Sequence, residues 1–275
     1  MILITTALQE TFPKDISEKV LFLGEWCKVY NKKSVWRKFD SQTMPYHWDD
    51  REKLYTDYQN IQIIYEKILL ELSNKLNETH QVNYSLRYWR ILIGPWLGYF
   101  IQILFDRWFM LKAVLDNDQK YHCRIVKRPP LSVVPNNMDH FTKWFTTDDW
   151  NEAIYGQLIE LYWANKVHIT WVEKIKQTPQ PIVKKILIKK YIKEKVLPFL
   201  NKFSINDNNH FFISTYLSLK TELKLQIRLG QIPNLWTTQS SPIVRSCAKQ
   251  RKWKLNGERG GTFEEVLRKM IPMHI

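Results

Sequence analysis

The stretch FLGEWC places a carboxylate, Glu25, directly after Gly24 and before an indole, Trp26. Gly24 closes an apolar run that reads as a buried strand, and the loop beyond the carboxyl end of a parallel strand is where α/β proteins hold their substrates. Glu25 is therefore a candidate general base for an acceptor hydroxyl, provided that burial beside Trp26 raises its pKa. A helix-capping glutamate or a structural salt bridge are the alternatives. YHWDD sets His47 beside Asp49 and Asp50 at a helix start. His47 is either a catalytic group or a structural histidine among capping acids.

A second group of residues suits anions. SLRYWR spaces Arg87 and Arg90 three apart on one helix face beside Tyr88 and Trp89, and a guanidinium fork fits phosphate or carboxylate. FDRW adds the adjacent pair Asp106 and Arg107, which either pair structurally or join the arginines at a substrate. STYLSLK offers Thr215, Tyr216 and Ser218 at a strand-to-helix turn, where hydroxyls and backbone amides meet an anion or simply cap the helix. DND, with Asp116 and Asp118, has the Asp-x-Asp spacing of some metal-diphosphate sites, but it falls at a helix end, where such residues also form turns. The common glycine-rich phosphate loops, the G-x-S-x-G elbow and the H-E-x-x-H metal motif are missing from the sequence.

The elements that carry these residues follow from periodicity. ILITTA and KVLFLG read as buried strands followed by turns. Asp49 or Asp50 caps a helix whose Leu54, Tyr58, Ile61, Tyr65, Leu69 and Leu72 recur every three or four residues. A second helical region starts near Ser85, breaks or kinks at Pro95 and resumes to about Leu115. Its uncharged run Ile91 to Phe105 is shorter than the roughly 20 residues of a membrane span, which makes it a core element. RIVKRPPLSVVP reads as extended structure stopped by prolines, and Asp148 or Asp149 caps a further helix. KQTPQPIVKKILIKKYIKEKVLPF interleaves lysines with aliphatics, either as a solvated helix face or as a surface for anionic lipid or phosphate. FFISTYL echoes ILITTAL and suggests that a second α/β unit opens near Phe211. Only one strand and two helices follow before Ile275, so the chain is expected to be part of a longer protein.

The 275 residues suffice for two compact units. Aromatic residues make up 14% of them, and a net charge of +14 attracts polyanions of any kind. Three cysteines without C-x-x-C spacing point to a reducing compartment, and the N-terminus lacks a basic signal-peptide region. A cytosolic protein, or one peripheral to the inner face of a membrane, is expected.

Taken in order, LFLGEWC, YHWDD, the Leu76-Asn77-x-x-His80 segment, SLRYWRILIGPWL, FDR and STYLSLKTELKLQIRLGQIPNLW resemble a family of bacterial transferases found in surface-polysaccharide and O-antigen loci. The resemblance spans almost the whole chain. It implies a helix-rich, Rossmann-like α/β domain over residues 1–205 on the acceptor side of a GT-B-type glycosyltransferase. Residues 206–275 would begin a second, donor-side Rossmann-like domain that continues in a longer protein. It further implies transfer from a nucleotide-activated sugar, a substrate rather than a cofactor, to a saccharide or lipid-linked acceptor, without a metal, beside an anionic membrane surface. Glu25 and His47 would be catalytic, and Trp26, Arg87, Arg90, Asp106, Arg107, Thr215 and Tyr216 would bind substrate. Ser214 departs from the glycine of a GTYL segment, which puts donor contact there in question. Transfer of a non-sugar group, or non-enzymatic binding of nucleic acid by a basic aromatic surface, are the competing readings.

Overall fold

Ile2–Ile4 (β1) and Val20–Phe22 (β2) are buried at every position, as strands covered on both faces of a parallel sheet should be. In the computed structural model, which describes residues 1–129, 131–175, 210, 212, 215–231, 233, 251–257 and 261–275, they belong to a five-stranded parallel sheet with Ser41–Thr43 (β3), Tyr121–Val126 (β4) and Val167–Val172 (β5). The strand order is β3-β2-β1-β4-β5. The chain steps outward from β1 to β3 and then returns past β1, so the order reverses between β1 and β4. This is a Rossmann-like α/β sheet, and its carboxyl ends are where a site belongs. The helices among the described residues are Lys33–Trp36 (α1), Arg51–His80 (α2), Leu86–Leu115 (α3), Met138–Trp144 (α4), Asp148–Tyr162 (α5), Leu219–Arg228 (α6) and Thr262–His274 (α7).

Between β3 and β4 the chain makes a long helical hairpin. Asp50 caps α2, its carboxylate accepting from the amides of Glu52 and Lys53 at 3.0 and 3.1 Å. Asn77, from the Leu76-Asn77-x-x-His80 segment, pins the turn: its amide bonds both ways with the backbone of Tyr84, and its oxygen also accepts from Trp89 Nε1 at 2.9 Å. Ser85 then caps α3. This helix continues through Pro95, so of the expected break or kink there the break does not occur. Proline removes one intrahelical bond, but the thirteen buried residues of α3, Leu97, Phe100, Ile101 and Leu104 among them, fix the helix against the core. The uncharged run is thus a core element on one side only, since Ile91 is 70% and Leu92 60% exposed. Among the described residues no helix is long and apolar enough to cross a membrane.

The cap of α5 also differs from expectation. Thr147 Oγ1 accepts from Trp150 N at 3.3 Å, which leaves Asp148 and Asp149 in the first turn for other partners. Asp148 accepts from the amide of Ala7 at 3.3 Å, and Asp149 pairs with Arg128 and Lys174 at 2.8 and 2.7 Å. Arg128 also pairs with the buried Glu152, which accepts from Val126 N at 2.9 Å.

The chain divides into two units, Met1–Ile175 with Ile243–Ile275, and Lys176–Pro242. The expected boundary at 205/206 assigned α7 to the second domain, whereas Phe263, Val266, Leu267, Met270 and Ile271 of α7 are buried in the core of the first unit. Arg268 fastens the helix there with a two-pronged bond to Glu71 of α2 at 2.8 and 2.9 Å. In the second unit α6 is capped by Ser218, which accepts from Thr221 N at 3.2 Å. The lysine-rich segment 176–199, Ser214 and Cys247 lie outside the described residues.

His274, near the end of α7, is buried against Phe100 and lies 2.9 Å from the Gln157 side-chain oxygen. Burial, reinforced by the charge of Arg251, holds its pKa down at about 3. The unfolded chain protonates this imidazole below about pH 6.5, so it binds more protons than the fold between about pH 3 and 6.5. Stability should therefore decrease as pH is lowered through that window, by up to about 1.4 kcal/mol per unit from this group. Urea midpoints at pH 7 and pH 5 check this: His274→Gln should start lower and lose less between them.

Candidate active site

The site begins at Gly24. A Cβ there would fall 2.1 Å from the indole of Trp26, so only glycine lets the ring lie across this backbone. The indole Nε1 donates to Thr5 O at 2.9 Å and ties the loop after β2 to the end of β1. Tyr46, just after β3, meets Trp26 nearly at a right angle, with centroids 5.9 Å apart. Gly24→Ala should displace the indole, lose the Thr5 bond and cost about 1–3 kcal/mol in a urea titration.

These rings form one side of a cleft of about 620 Å3 at the carboxyl ends of β2 and β3. Glu25, Trp26, Tyr46, Asp49, Asp106 and Arg107 line it, with Thr43, Met44 and Pro45. Glu25 differs from expectation, because its side chain is 77% exposed and pairs with Lys28 at 2.7 Å. The short 3-10 turn Glu25–Cys27 that follows Gly24 aims the carboxylate outward rather than under the indole.

The opposite wall is a charge network rooted in α3. Asp106 is buried and bonds to His47 Nε2 at 3.0 Å and to the guanidinium of Arg107. Burial would raise its pKa, but the bonds from His47 and Tyr46 and the charge of Arg107 outweigh it and hold the carboxyl below its usual range. An ionised carboxylate only accepts, so Nε2 carries the hydrogen; His47 Nδ1 is buried and bonds to nothing. Burial, then Asp106, push the Tyr46 phenol well up, which keeps it a donor. Arg107 also donates to Asn151 Oδ1 at 3.1 and 2.9 Å and lies 5.8 Å from the Tyr155 ring centre. Asn151 in turn donates to Phe145 O and Thr147 O, both at 2.8 Å.

Of the expected site residues, Glu25, Trp26, Asp106 and Arg107 share this cleft, and His47 holds Asp106 without lining it. Arg90 instead makes a bidentate bond to Glu66 of α2 at 2.5 and 2.6 Å, and Arg87 is exposed. At 1.5 Å per residue they lie about 24 and 28 Å up the helix from Asp106. In the second unit Thr215 donates to Glu222 at 2.6 Å and Tyr216 is fully exposed. Asp116 of the DND segment bonds to Lys112 and accepts from Trp163 Nε1 at 3.3 Å. Among the described residues no group of three or more His, Cys, Asp and Glu is placed to hold a metal ion. Sequence reasoning missed Tyr46 and Asn151; Tyr46 adjoins His47 and was within reach, whereas nothing local marks Asn151.

The profile of a family described as LIC12162 family transferase matches residues 1–275. No curated protein and no solved structure matches the chain.

Proposed function

The chain belongs to the LIC12162 family of transferases, and from that premise we propose that it moves a sugar from a nucleotide-activated donor to a saccharide or lipid-linked acceptor in bacterial surface-polysaccharide synthesis. The observation that carries this reading is the meeting of three segments far apart in sequence, FLGEWC, YHWDD and FDR, at one cleft over the carboxyl ends of β2 and β3. In this reading the cleft is the acceptor side of a GT-B-type enzyme, Thr215 and Tyr216 belong to the donor side, and no metal takes part. Arg87, on the exposed side of α3, would face an anionic membrane surface. A role in nucleic-acid binding is not favoured, because rings such as Phe22, Phe100, Phe141 and Trp150 are buried.

In this reading the acceptor hydroxyl lies over Glu25, which acts as base from the lining of the cleft, exposed and paired with Lys28 rather than buried beside Trp26. Its oxygen attacks the anomeric carbon, a new glycosidic bond forms, and the bond from that carbon to the diphosphate breaks. The nucleoside diphosphate leaves with the electron pair, and the hydroxyl proton passes to the Glu25 carboxylate. Asp106 is not placed to take that proton, since His47 and Arg107 already claim its two oxygens. His47 is accordingly a positioning residue, acting through Asp106.

The test is incubation of the full-length protein with UDP-, GDP-, CDP- and dTDP-linked sugars and a lipid-linked saccharide extract. Release of one nucleotide together with an acceptor mass increased by one sugar residue is expected. An unchanged acceptor with every donor would remove the glycosyl reading.

A further inference from the structure

The cleft holds an aromatic corner and an excess of acid, in a chain whose net charge is +14. Among the described residues its lining carries three carboxylates, on Glu25, Asp49 and Asp106, against one guanidinium, on Arg107. That guanidinium is committed to Asp106, to Asn151 and to the Tyr155 ring. Lys28, three residues beyond Glu25, is bound to it. Arg87 and Arg90 are too far along α3 to reach a ligand here, about 24 Å or more, and Arg90 is already taken by Glu66. With Asp106 paired to Arg107 and Glu25 to Lys28, the remaining charge on the described lining is the carboxylate of Asp49, so an anion entering the cleft would meet net negative charge and, among the described residues that line it, no uncommitted cation.

We propose that this cleft selects an uncharged saccharide ring and rejects phosphorylated or carboxylated sugars, so that the phosphates of donor and carrier lie outside it. The inference rests on the glycosyltransferase reading and narrows its acceptor. A pyranose has an apolar face of C–H groups and a rim of hydroxyls. Trp26 and Tyr46 stand at 82° to each other, so the flat face packs on one of these rings while the other borders its edge. Glu25 and Asp49 accept from the rim hydroxyls, and charge-assisted bonds of that kind are the strong ones. About 620 Å3 of space lies within the roughly 300–1,000 Å3 usual for small-molecule pockets.

Saturation-transfer NMR on the full-length protein tests this without turnover. The neutral probes are the methyl glycosides of glucose, galactose, mannose and N-acetylglucosamine; the anionic probes are glucose 1-phosphate and glucuronate. At least one neutral glycoside should bind, and both anions about ten-fold or more weaker at low salt. Asp49→Lys should reverse that order toward glucose 1-phosphate, and Glu25→Gln, at an exposed position, should weaken the neutral glycoside while narrowing its advantage. The proposal is overturned if no neutral glycoside binds, if the wild-type protein binds either anion as tightly, or if Asp49→Lys leaves the ratio unchanged. A failed search for a sugar donor with this binding pattern intact would remove the glycosyl reading alone, whereas turnover with an anion-preferring cleft would remove the selectivity alone.

Discussion

Asp106→Asn should destabilise the first unit by about 3–5 kcal/mol, the cost of stranding one member of a buried ion pair. The substitution keeps shape and size, so the loss isolates charge. Only 4% of the Asp106 side chain is exposed, against 23% for Arg107 and 8% for His47. An amide offers Arg107 one neutral oxygen in place of a carboxylate, and it cannot balance the guanidinium. His47, whose Nδ1 has no hydrogen-bond partner, would keep at best a weaker bond at Nε2. The pH dependence has a definite sign. Because the folded carboxyl is held below its usual range, its contribution is present above about pH 4 and disappears as pH falls through the folded pKa. Wild-type and variant stabilities should therefore converge in acid. In urea titrations the double variant Asp106→Asn/Arg107→Met should be less destabilised than the sum of the two single changes, since the second removes the stranded cation. A cost below about 1 kcal/mol for Asp106→Asn would mean that the network does not hold the cleft wall.

Where local sequence decides structure, the reading came close. β1 and β2 are runs without a polar residue, and such runs can only be covered strands or core. Asp50 caps α2 because a short acid ahead of an apolar stripe satisfies free amides wherever the helix packs. β3 was illegible: Ser41, Gln42 and Thr43 form the sheet edge, and their pairing with β2 supplies what their side chains do not. The position of α7 was equally hidden, since its amphipathic pattern fits either unit and only three-dimensional packing selects the first. At Thr147 three capping residues stood in a row, and the choice depended on Ala7 and Arg128, far away in sequence, claiming the two acids. Arg90 looked like an anion site because its partner, Glu66, lies on the other arm of a hairpin whose register the sequence does not give. For the site, the segments that meet could be picked out by residue type. What could not be foreseen was the direction of each side chain: the turn after Gly24 sends Glu25 outward, and α3 presents Asp106 and Arg107 to the cleft while carrying Arg87 and Arg90 away from it.

Glu25→Gln should reduce transfer by about 10^2–10^4-fold, the usual worth of a positioned general base. Glutamine keeps the length and one acceptor oxygen but cannot hold the proton that the acceptor hydroxyl must lose. With its side chain 77% exposed and its one ion pair on the surface, the substitution should shift the unfolding midpoint by no more than about 1 kcal/mol. Loss of activity could then not be blamed on loss of the fold. Acceptor affinity should change far less than turnover, because only the transition state needs the proton removed.

The most direct measurement is the turnover of wild-type and Glu25→Gln protein side by side, full length, with the donor that supports acceptor glycosylation, and with urea unfolding of both. The expected result is turnover lower by at least about a hundred-fold at an unchanged unfolding midpoint. Turnover at the wild-type rate by a folded Glu25→Gln protein would contradict the assignment of this cleft as the place where transfer occurs.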